Sequence, residues 1–402
     1  MINSERLSSR IEELSQFGKL PKGGITRLAL SKEDKAARDL LKKWMEELEL
    51  KVVIDQMGNM MGIWGESDTP GIAIGSHLDS VKEGGNFDGP VGVIGALEVI
   101  QSLKENGIKP KKPVILINFT NEEGVRFTPD MMGSLAFAKG IDVEEAWKIK
   151  ATNDGKTIKE CLKEIGYLGK EIPGTVNIEN YIEIHIEQGP ILESEEINIG
   201  AVSQLQGIYW TEYILHGKAS HAGTTPLSMR NDAGFVAGCM IKQIRKLAKK
   251  HKGVGTVGVC ELSPSQINAT SETVRIIADI RHPKEKKLGK FQDDFDAYVS
   301  KITKKEGVTF EKKELVRFTP VQFSEKIVEL ISKKSSELGL TCTEMTSGAG
   351  HDAQMMQRVC PSAMIFIPSK DGLSHNPKEF STEKDIENGA KVLYEVLKEL
   401  IN

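Results

Sequence analysis

The sequence predicts an α/β fold in which both ends of the chain build one large domain, with a smaller domain inserted between them. Three observations favour this fold. The chain has 402 residues, which is too long for one ordinary hydrophobic core. Its first part alternates short apolar runs with helical segments. In the middle the pattern changes to β-α-β-β-α-β, and after Pro320 the first pattern returns.

The elements of the large domain are predicted from hydrophobic periodicity and from turn residues. Three short, largely apolar runs have the length of strands: Gly71–Gly75, Pro113–Phe119 and Tyr181–Ile186. A helix is predicted over Val91–Leu103, because Gly89-Pro90 precedes it and Asn106-Gly107 follows it. Near the end of the chain, Ala363–Ile367 predicts a further strand and Glu383–Leu400 a closing helix. Since strands that alternate with helices tend to pair in parallel, we expect a mixed, mostly parallel sheet.

The inserted domain is predicted from six segments that follow the order of a ferredoxin-like fold. In chain order they are the strand Thr211–Gly217, the helix Asp232–Lys250, the strands Gly255–Leu262 and Thr273–Arg281, the helix Leu288–Lys305 and the strand Val308–Val316. We therefore expect residues 211–320 to form the inserted domain. Residues 1–210 and 321–402 are expected to form the large domain.

The composition argues against several classes of function. A net charge of −4 leaves no basic excess, so a nucleic-acid partner is not expected. No segment reaches the roughly 20 apolar residues that span a bilayer, so no membrane association is expected. The five cysteines are widely spaced and form no C-x-x-C pair, which argues against disulfides and thiolate metal sites. Because the N-terminus has no apolar signal core, we expect a cytoplasmic protein.

Histidine and carboxylate side chains recur where the predicted strands of the large domain end or a helix begins. In chain order these residues are His77, Asp79, Asp88, Glu122, Glu123, His185 and His375. Because ligands of open α/β sheets bind at the carboxyl ends of the strands, we expect these side chains to converge. Histidine and carboxylate ligands without cysteine are typical of a catalytic site for a divalent metal such as Zn²⁺.

Each of these residues alone has a plainer interpretation. A single histidine on a strand is usually a hydrogen-bonded residue of the core or its rim. Asp88, before Gly-Pro, would serve as a helix cap, and Glu122-Glu123 as an exposed turn. The coincidence of all of them at one predicted sheet edge favours a metal site over these separate interpretations.

Five short motifs then carry a resemblance to a known family. They are His77-Leu78-Asp79, Asn86-Phe87-Asp88-Gly89, Asn121-Glu122-Glu123-Gly124, His185-Ile186-Glu187-Gln188-Gly189 and Ser374-His375-Asn376. In this order the sequence resembles the dinuclear-metal N-carbamoyl-amino-acid hydrolases. Allantoate amidohydrolase and β-ureidopropionase belong to the same group, within the aminoacylase–carboxypeptidase superfamily. The matching motifs run from His77 to Ser381, and no expected ligand is missing.

The resemblance implies two divalent metal ions that share one carboxylate. Asp88 would bridge the two ions. His77 and His185 would complete one site, and Glu123 and His375 would complete the other. We expect Zn²⁺ first, with Mn²⁺, Co²⁺ and Ni²⁺ as alternatives, because this ligand set does not discriminate strongly among them.

The resemblance also implies two catalytic carboxylates. Glu122 would act as the general base, since neighbouring residues of an extended segment point in different directions and Glu123 is assigned to the metal. Asp79, two residues after His77, would orient that imidazole ring.

Substrate contacts follow from the same resemblance. The expected residues are Gln188, His221, Asn268, Arg281 and Gly350. His221 lies in a loop of the inserted domain and would stabilise the oxyanion, often from the neighbouring subunit of a homodimer. Arg281 would bind a substrate carboxylate in bidentate fashion, and Gln188 would bind the ureido nitrogen.

We therefore expect hydrolysis of the carbamoyl C–N bond of N-carbamoyl-L-amino acids, which yields the amino acid, carbon dioxide and ammonia. Allantoate and N-carbamoyl-β-alanine remain alternative substrates. A dipeptidase or aminoacylase of the same superfamily is a further alternative, although Ile-Glu-Gln-Gly after His185 favours the carbamoyl branch. A catalytically inactive scaffold would be expected to have lost ligands, and none is lost. The inserted domain is expected to serve as a lid and dimerisation domain whose closure assembles the site.

Overall fold

The structure is a computed structural model, and it describes residues 2–66 and 69–402. The described residues form two compact units. One contains the chain up to Ser203 together with Phe323–Asn402, and the other is Gln204–Gln322. The functional roles expected of the two domains stay predictions.

The regular elements are numbered in chain order. The helices are α1 (Ser4–Ser15), α2 (Lys32–Glu47), α3 (Pro90–Glu105), α4 (Met132–Phe137), α5 (Val143–Lys148), α6 (Ile158–Ile165), α7 (Ile191–Ser194), α8 (Ala233–His251), α9 (Glu285–Glu306), α10 (Glu325–Glu337), α11 (Asp352–Met356) and α12 (Glu383–Leu400). The strands are β1 (Lys51–Ile54), β2 (Met60–Trp64), β3 (Gly71–His77), β4 (Val114–Phe119), β5 (Ile178–Ile186), β6 (Ile199–Leu205), β7 (Gly207–His216), β8 (Val254–Ser263), β9 (Thr273–His282), β10 (Thr309–Phe318), β11 (Val321–Gln322), β12 (Cys342–Ser347) and β13 (Ser362–Ile367). Among the described residues, no helix is both long and apolar enough to cross a membrane.

The large sheet is mixed, and the expectation that it is mostly parallel is wrong. Its strand order is β1-β2-β4-β3-β5-β13-β6, and β11 and β12 also pair with β6. The four central strands, β4, β3, β5 and β13, pair in parallel. The outer pairs β1–β2, β2–β4 and β6–β13 are antiparallel. For β1 and β2 the reason is local, because a short turn joins them and such a turn can link only antiparallel neighbours.

The central strands of the large sheet are rich in apolar residues, as expected for strands that are covered on both faces. Every residue of β3, β4 and β13 is buried. Helix α3 packs directly on the sheet at Gly92, where a Cβ atom would lie 2.5 Å from the main-chain oxygen of Ile184. This packing brings the N-terminal end of α3 to the sheet edge at which β3 ends with His77.

The second unit contains one four-stranded antiparallel sheet with two helices. The strand order is β10-β7-β9-β8, and all three pairings are antiparallel. Residues of β9 alternate between buried and half-buried, as expected for a strand with one covered face. The buried residues of β9 form one core with apolar side chains of α8 and α9. Strand β8 lies at an edge of this sheet and is largely exposed.

Candidate metal centre

All five predicted metal ligands converge at one edge of the large sheet, in two groups that share Asp88. In the first group, Nε2 of His185 lies 3.1 Å and Nε2 of His77 lies 3.8 Å from Oδ1 of Asp88. In the second group, Nε2 of His375 lies 3.3 Å from Oδ2 of Asp88 and 3.3 Å from Oε2 of Glu123. Within each group of three, all candidate ligand atoms lie within 4.8 Å of one another. The two oxygens of Asp88 therefore face different groups.

Three separate parts of the large unit supply the side chains of the first group. His77 is the last residue of β3, and His185 is the penultimate residue of β5. Asp88 lies in the loop before α3, where Gly89 adopts a φ of 81° and lies against the His77 ring. A Cβ atom at Gly89 would lie about 2.5 Å from that ring, so only glycine allows this approach.

The geometry of the two groups fits a divalent metal ion. Ligand atoms bound tetrahedrally at about 2.1 Å from one ion lie about 3.4 Å from each other. The Nδ1 atoms of His77 and His185 each lie 2.9 Å from a main-chain carbonyl oxygen, of Asp79 and Ile186 respectively. These contacts favour the proton on Nδ1, which leaves the Nε2 lone pair directed at the group.

Burial and the carboxylates of the cluster shift the pKa values of the histidines in opposite directions. Burial lowers the pKa of His77 to about 4. Burial also lowers the pKa of His185, because it disfavours the charged ring. The hydrogen bond to Asp88 and the negative charge of Asp88 have a larger, opposite effect, so the pKa of His185 is raised to about 9. Hydrogen bonds to Asp88 and Glu123 raise the pKa of His375 to about 11. In His185 and His375, neighbouring carboxylates therefore stabilise the protonated ring.

Glu122, the predicted general base, lies beside the first group. Its Oε2 atom is 3.6 Å from Nε2 of His77, and the residue is buried. Burial, together with the charges of Asp352 and Glu123, raises the pKa of Glu122 well above its usual range. A carboxyl group with a raised pKa next to a metal group is able both to accept and to return a proton. Its role as general base stays a prediction.

The contacts of Asp79 with His77, Glu122 and Glu123 differ from those predicted from the sequence. The main-chain carbonyl of Asp79, not its carboxylate, lies in hydrogen-bond range of the His77 ring. Its carboxylate instead accepts hydrogen bonds from the main-chain N–H groups of Glu122 at 3.2 Å and Glu123 at 3.3 Å. Asp79 therefore contacts a ligand, the predicted base and a second ligand at once.

Two further residues predicted to bind substrate lie in the large unit. The side-chain amide of Gln188 donates hydrogen bonds to Oδ2 of Asp88 at 2.7 Å and to Oγ of Ser374 at 3.1 Å. Its role toward a ureido nitrogen stays a prediction. Gly350 lies between β12 and α11, against the side chain of Met131.

Sequence reasoning missed three buried residues next to the candidate ligands. The ring centroid of His351 lies 4.4 Å from that of His185. With Glu183 and His185, His351 forms a third group of possible ligands. Glu183 had a usable signal, since it lies two residues before His185 and a strand places such residues on one face. Glu379 had no such signal, because it contacts residues far away in the sequence.

The predicted substrate residues of the second unit have their own local geometry. Nδ1 of His221 accepts hydrogen bonds from the main-chain N–H groups of Gly223 at 3.0 Å and Thr224 at 3.1 Å. The proton of a neutral His221 ring therefore lies on Nε2, and the side chain is exposed. The main-chain oxygen of Asn268 accepts a hydrogen bond from Ala222, so these two segments lie together.

Arg281, also in the second unit, is engaged within its own strand. Its Nε atom lies 3.0 Å from Oδ1 of Asp279, and its Nη2 atom lies 2.8 Å from Oδ2. The guanidinium thus already binds one carboxylate in bidentate geometry. Binding of a substrate carboxylate by this residue stays a prediction.

Comparison with known proteins places the chain among metal-dependent hydrolases. Residues 73–399 match peptidase family M20/M25/M40. An N-carbamoyl-L-amino-acid amidohydrolase from Rhizobium meliloti is 37% identical over 402 residues, which cover 99% of this chain and 96% of the relative. An allantoate amidohydrolase from Bacillus subtilis is 32% identical over 401 residues, which cover 98% of this chain and 97% of the relative.

A solved structure has a similar fold over nearly the whole chain. An amidase of the hydantoinase/carbamoylase family from Burkholderia multivorans is 37% identical in sequence, with a TM-score of 0.97. The similarity covers 99% of this chain and 98% of that one.

Proposed function

The chain belongs to peptidase family M20/M25/M40 and is a hydrolase of non-peptide C–N bonds, and from this premise we propose that it removes the carbamoyl group of N-carbamoyl-L-amino acids. The products would be the free amino acid, carbon dioxide and ammonia. The main observation in support of this proposal is that two groups of histidine and carboxylate side chains share Asp88 at one sheet edge. A shared carboxylate is what two neighbouring dications require between them.

The family is metal-dependent, and we assign two divalent ions to this centre. His77, Asp88 and His185 would hold one ion, and Asp88, Glu123 and His375 would hold the other. Zn²⁺ is the first expectation, with Mn²⁺, Co²⁺ and Ni²⁺ as alternatives, since nitrogen and oxygen ligands accept all four. When bound, such ions supply the positive charge that lowers the pKa of water and polarises the scissile carbonyl.

The protein side chains would move the protons of the reaction. Glu122 accepts a proton from the attacking water as the new C–O bond forms at the carbamoyl carbon. The C–N bond to the amino acid then breaks, and Glu122 returns the proton to the leaving nitrogen. The carbamic acid released in this step decomposes to carbon dioxide and ammonia, so every atom of substrate and water is accounted for.

Residues of the second unit would bind the substrate. The Nε2–H group of His221 is the donor that we assign to the developing oxyanion, because its Nδ1 atom is already an acceptor of two main-chain hydrogen bonds. Asn268 would contribute a second donor. Arg281 would bind the substrate carboxylate and would have to share its guanidinium with Asp279.

We propose that the second unit is a ferredoxin-like domain that serves as a lid and as the dimerisation domain. We also propose that the protein is a homodimer. The unpaired edge of β8 and four exposed apolar side chains support the assignment, since exposed edges and apolar patches are frequent sites of subunit contact. These side chains are Phe235, Ile241, Val254 and Leu262. Because five free cysteines are described and none is paired, we also propose a cytoplasmic location.

Allantoate and N-carbamoyl-β-alanine are second candidate substrates, since they present the same ureido group to the same residues. The similarity to the allantoate amidohydrolase of Bacillus subtilis favours the first of these. A dipeptidase or aminoacylase activity is a more distant alternative. We propose no nucleic-acid or membrane partner.

The proposal is tested by ammonia release from metal-loaded protein with N-carbamoyl-L-methionine, N-carbamoyl-β-alanine and allantoate, and by ninhydrin detection of dipeptide cleavage. The expected result is the highest kcat/KM with N-carbamoyl-L-methionine, lost with chelator and restored by metal. A clear preference for allantoate would keep the chemistry and change the substrate. Dipeptide cleavage alone, or no turnover of any compound, would contradict the proposal.

A further inference from the structure

Glu379 is a buried carboxylate that none of the proposed catalytic steps uses. Only 5% of its surface is exposed, and it lies four residues after the candidate ligand His375. Its Oε1 atom accepts hydrogen bonds from the main-chain N–H groups of Phe87 at 2.9 Å and Asp88 at 3.0 Å. A side chain from the end of the sequence thus holds the loop that carries the shared ligand.

The contact between Glu379 and this loop is close. A Cβ atom at Gly85 would lie 2.1 Å from Oε1 of Glu379 and 2.2 Å from its carboxyl carbon. Gly85 does not adopt a positive φ, so its backbone conformation does not require glycine. Glycine is needed at this position because a side chain would collide with the Glu379 carboxylate. The loop before Asp88 is therefore shaped around Glu379.

Ser374 links the other oxygen of Glu379 to the ligand cluster. Oγ of Ser374 lies 3.1 Å from Oε2 of Glu379 and 2.8 Å from Oδ2 of Asp88. Ser374 directly precedes His375, and the main-chain N–H of Glu379 donates to the carbonyl of Asn376. Glu379 therefore connects the Asp88 loop and the His375 loop from one position.

We propose that Glu379 is a positioning residue that sets the geometry of the second metal group, Asp88, Glu123 and His375. This inference depends on the proposed function, because it assumes that both groups bind metal. The histidines of the two groups lie in different structural surroundings. His77 and His185 lie on buried central strands, whereas His375 lies on a loop and its side chain is half exposed. Loss of the Glu379 side chain is therefore expected to abolish metal binding at the second group and to leave metal binding at the first group intact.

The contribution of Glu379 is expected to depend on its hydrogen bonds and not on its charge. In Glu379→Gln, the amide oxygen can still accept from Phe87 and Asp88, and the amide nitrogen can donate to Ser374. In Glu379→Ala, all three contacts are lost. In Gly85→Ala, the new methyl group displaces the carboxylate without removing it. Substitutions of outer residues that orient metal ligands typically weaken metal binding by about 10–100-fold.

The test measures bound Mn²⁺ in full-length wild type and four variants. Metal per chain is determined by elemental analysis after gel filtration, and spin coupling between two Mn²⁺ ions by electron paramagnetic resonance. Glu383→Ala is the matched control, since Glu383 is an exposed carboxylate at the start of α12. Circular dichroism melting confirms that each variant is folded.

The expected result is two coupled ions in wild type, Glu379→Gln and Glu383→Ala, and one uncoupled ion in Glu379→Ala and Gly85→Ala. Two coupled ions in both Glu379→Ala and Gly85→Ala would overturn the inference and leave the proposed function intact. Loss of the second ion in Glu379→Gln would also overturn it, because charge and not hydrogen bonding would then be responsible. Fewer than two ions in wild type would overturn the proposed centre itself.

Discussion

The carboxylate of Asp79 accepts a hydrogen bond from the main-chain N–H of Glu122, with an N–O distance of 3.2 Å. The same carboxylate accepts from Glu123, and the carbonyl of Asp79 lies 2.9 Å from Nδ1 of His77. Asp79 thereby fixes the distance between one metal group and the predicted base. The carboxylate is buried, and these two main-chain donors offset part of the free-energy cost of that burial.

Replacement of Asp79 by alanine is expected to lower kcat by about 10–100-fold, as for other residues that orient metal ligands. The loop of Glu122 and Glu123 would lose both of its hydrogen bonds to the carboxylate. Asp79→Asn keeps an oxygen that accepts one of them and should fall between alanine and wild type. Steady-state kinetics on N-carbamoyl-L-methionine checks the order of the three proteins. Equal kcat values in all three would show that this carboxylate does not position the base.

The variant Glu122→Gln separates the roles of base and ligand. The amide has nearly the same shape but cannot accept a proton, so kcat is expected to fall by at least about 100-fold. Metal content, measured by elemental analysis, should stay at the wild-type level. Loss of metal in this variant would instead make Glu122 a ligand and contradict the assignment of Glu123.

Metal affinity is expected to rise with pH. Without metal the pKa of His185 is about 9 and that of His375 about 11, so both rings hold a proton near neutral pH. A metal ion must displace these protons, and this competition weakens as the pH rises from about 6 to about 9. Competition with a chelator of known pH dependence measures the affinity, and an indicator in dilute buffer measures the released protons. Affinity that does not change over this range would contradict the prediction.

The location of His221 relative to its active site can be tested by mixing variants. His221→Ala and Glu122→Gln should each be nearly inactive as homodimers. If His221 acts on the partner's site, exchange of subunits creates heterodimers with one intact site, and activity should recover to about a quarter of wild type. If His221 acts within its own chain, mixing restores nothing. Ammonia release before and after exchange distinguishes the two arrangements.

Close packing of α3 on the large sheet predicts a specific loss of stability. A Cβ atom at Gly92 would lie 2.5 Å from the carbonyl of Ile184 and 2.6 Å from Cβ of Ser76. Gly92→Ala is therefore expected to lower the free energy of unfolding by about 1–3 kcal/mol. The control is Gly238→Ala in α8, where a Cβ atom would have no neighbour within 4 Å. This substitution is expected to raise the free energy of unfolding by about 0.5–1 kcal/mol. Urea denaturation of both variants measures the difference, and equal effects would contradict this packing argument.

Much of the fold follows from local patterns in the sequence. The predicted strands Gly71–Gly75, just before His77, and Tyr181–Ile186, which contains His185, are two central strands of the sheet, and parallel pairing brings their ends to one edge. The antiparallel outer strands were not predicted, because β1 and β2 are short and lack a distinctive pattern. Whether such strands pair in parallel depends on the turn that connects them, which hydrophobic periodicity does not report.

The supporting contacts of the candidate centre were less predictable than its ligands. Glu379 bonds to Phe87, 292 positions earlier in the sequence, and no spacing rule relates residues so far apart. Asp79 was assigned to the His77 ring because it lies two residues away, whereas its carboxylate binds a loop 43 residues later. Such contacts depend on how loops meet after the sheet has formed, and they require the tertiary structure.

The most direct test of the central claim is a metal titration of chelator-treated protein, with ammonia release from N-carbamoyl-L-methionine measured at each step. We expect no turnover without metal and a rate that reaches its maximum only when two equivalents are bound per chain. Full activity with one equivalent, or turnover that persists in chelator, would contradict a reaction that needs both metal groups around Asp88.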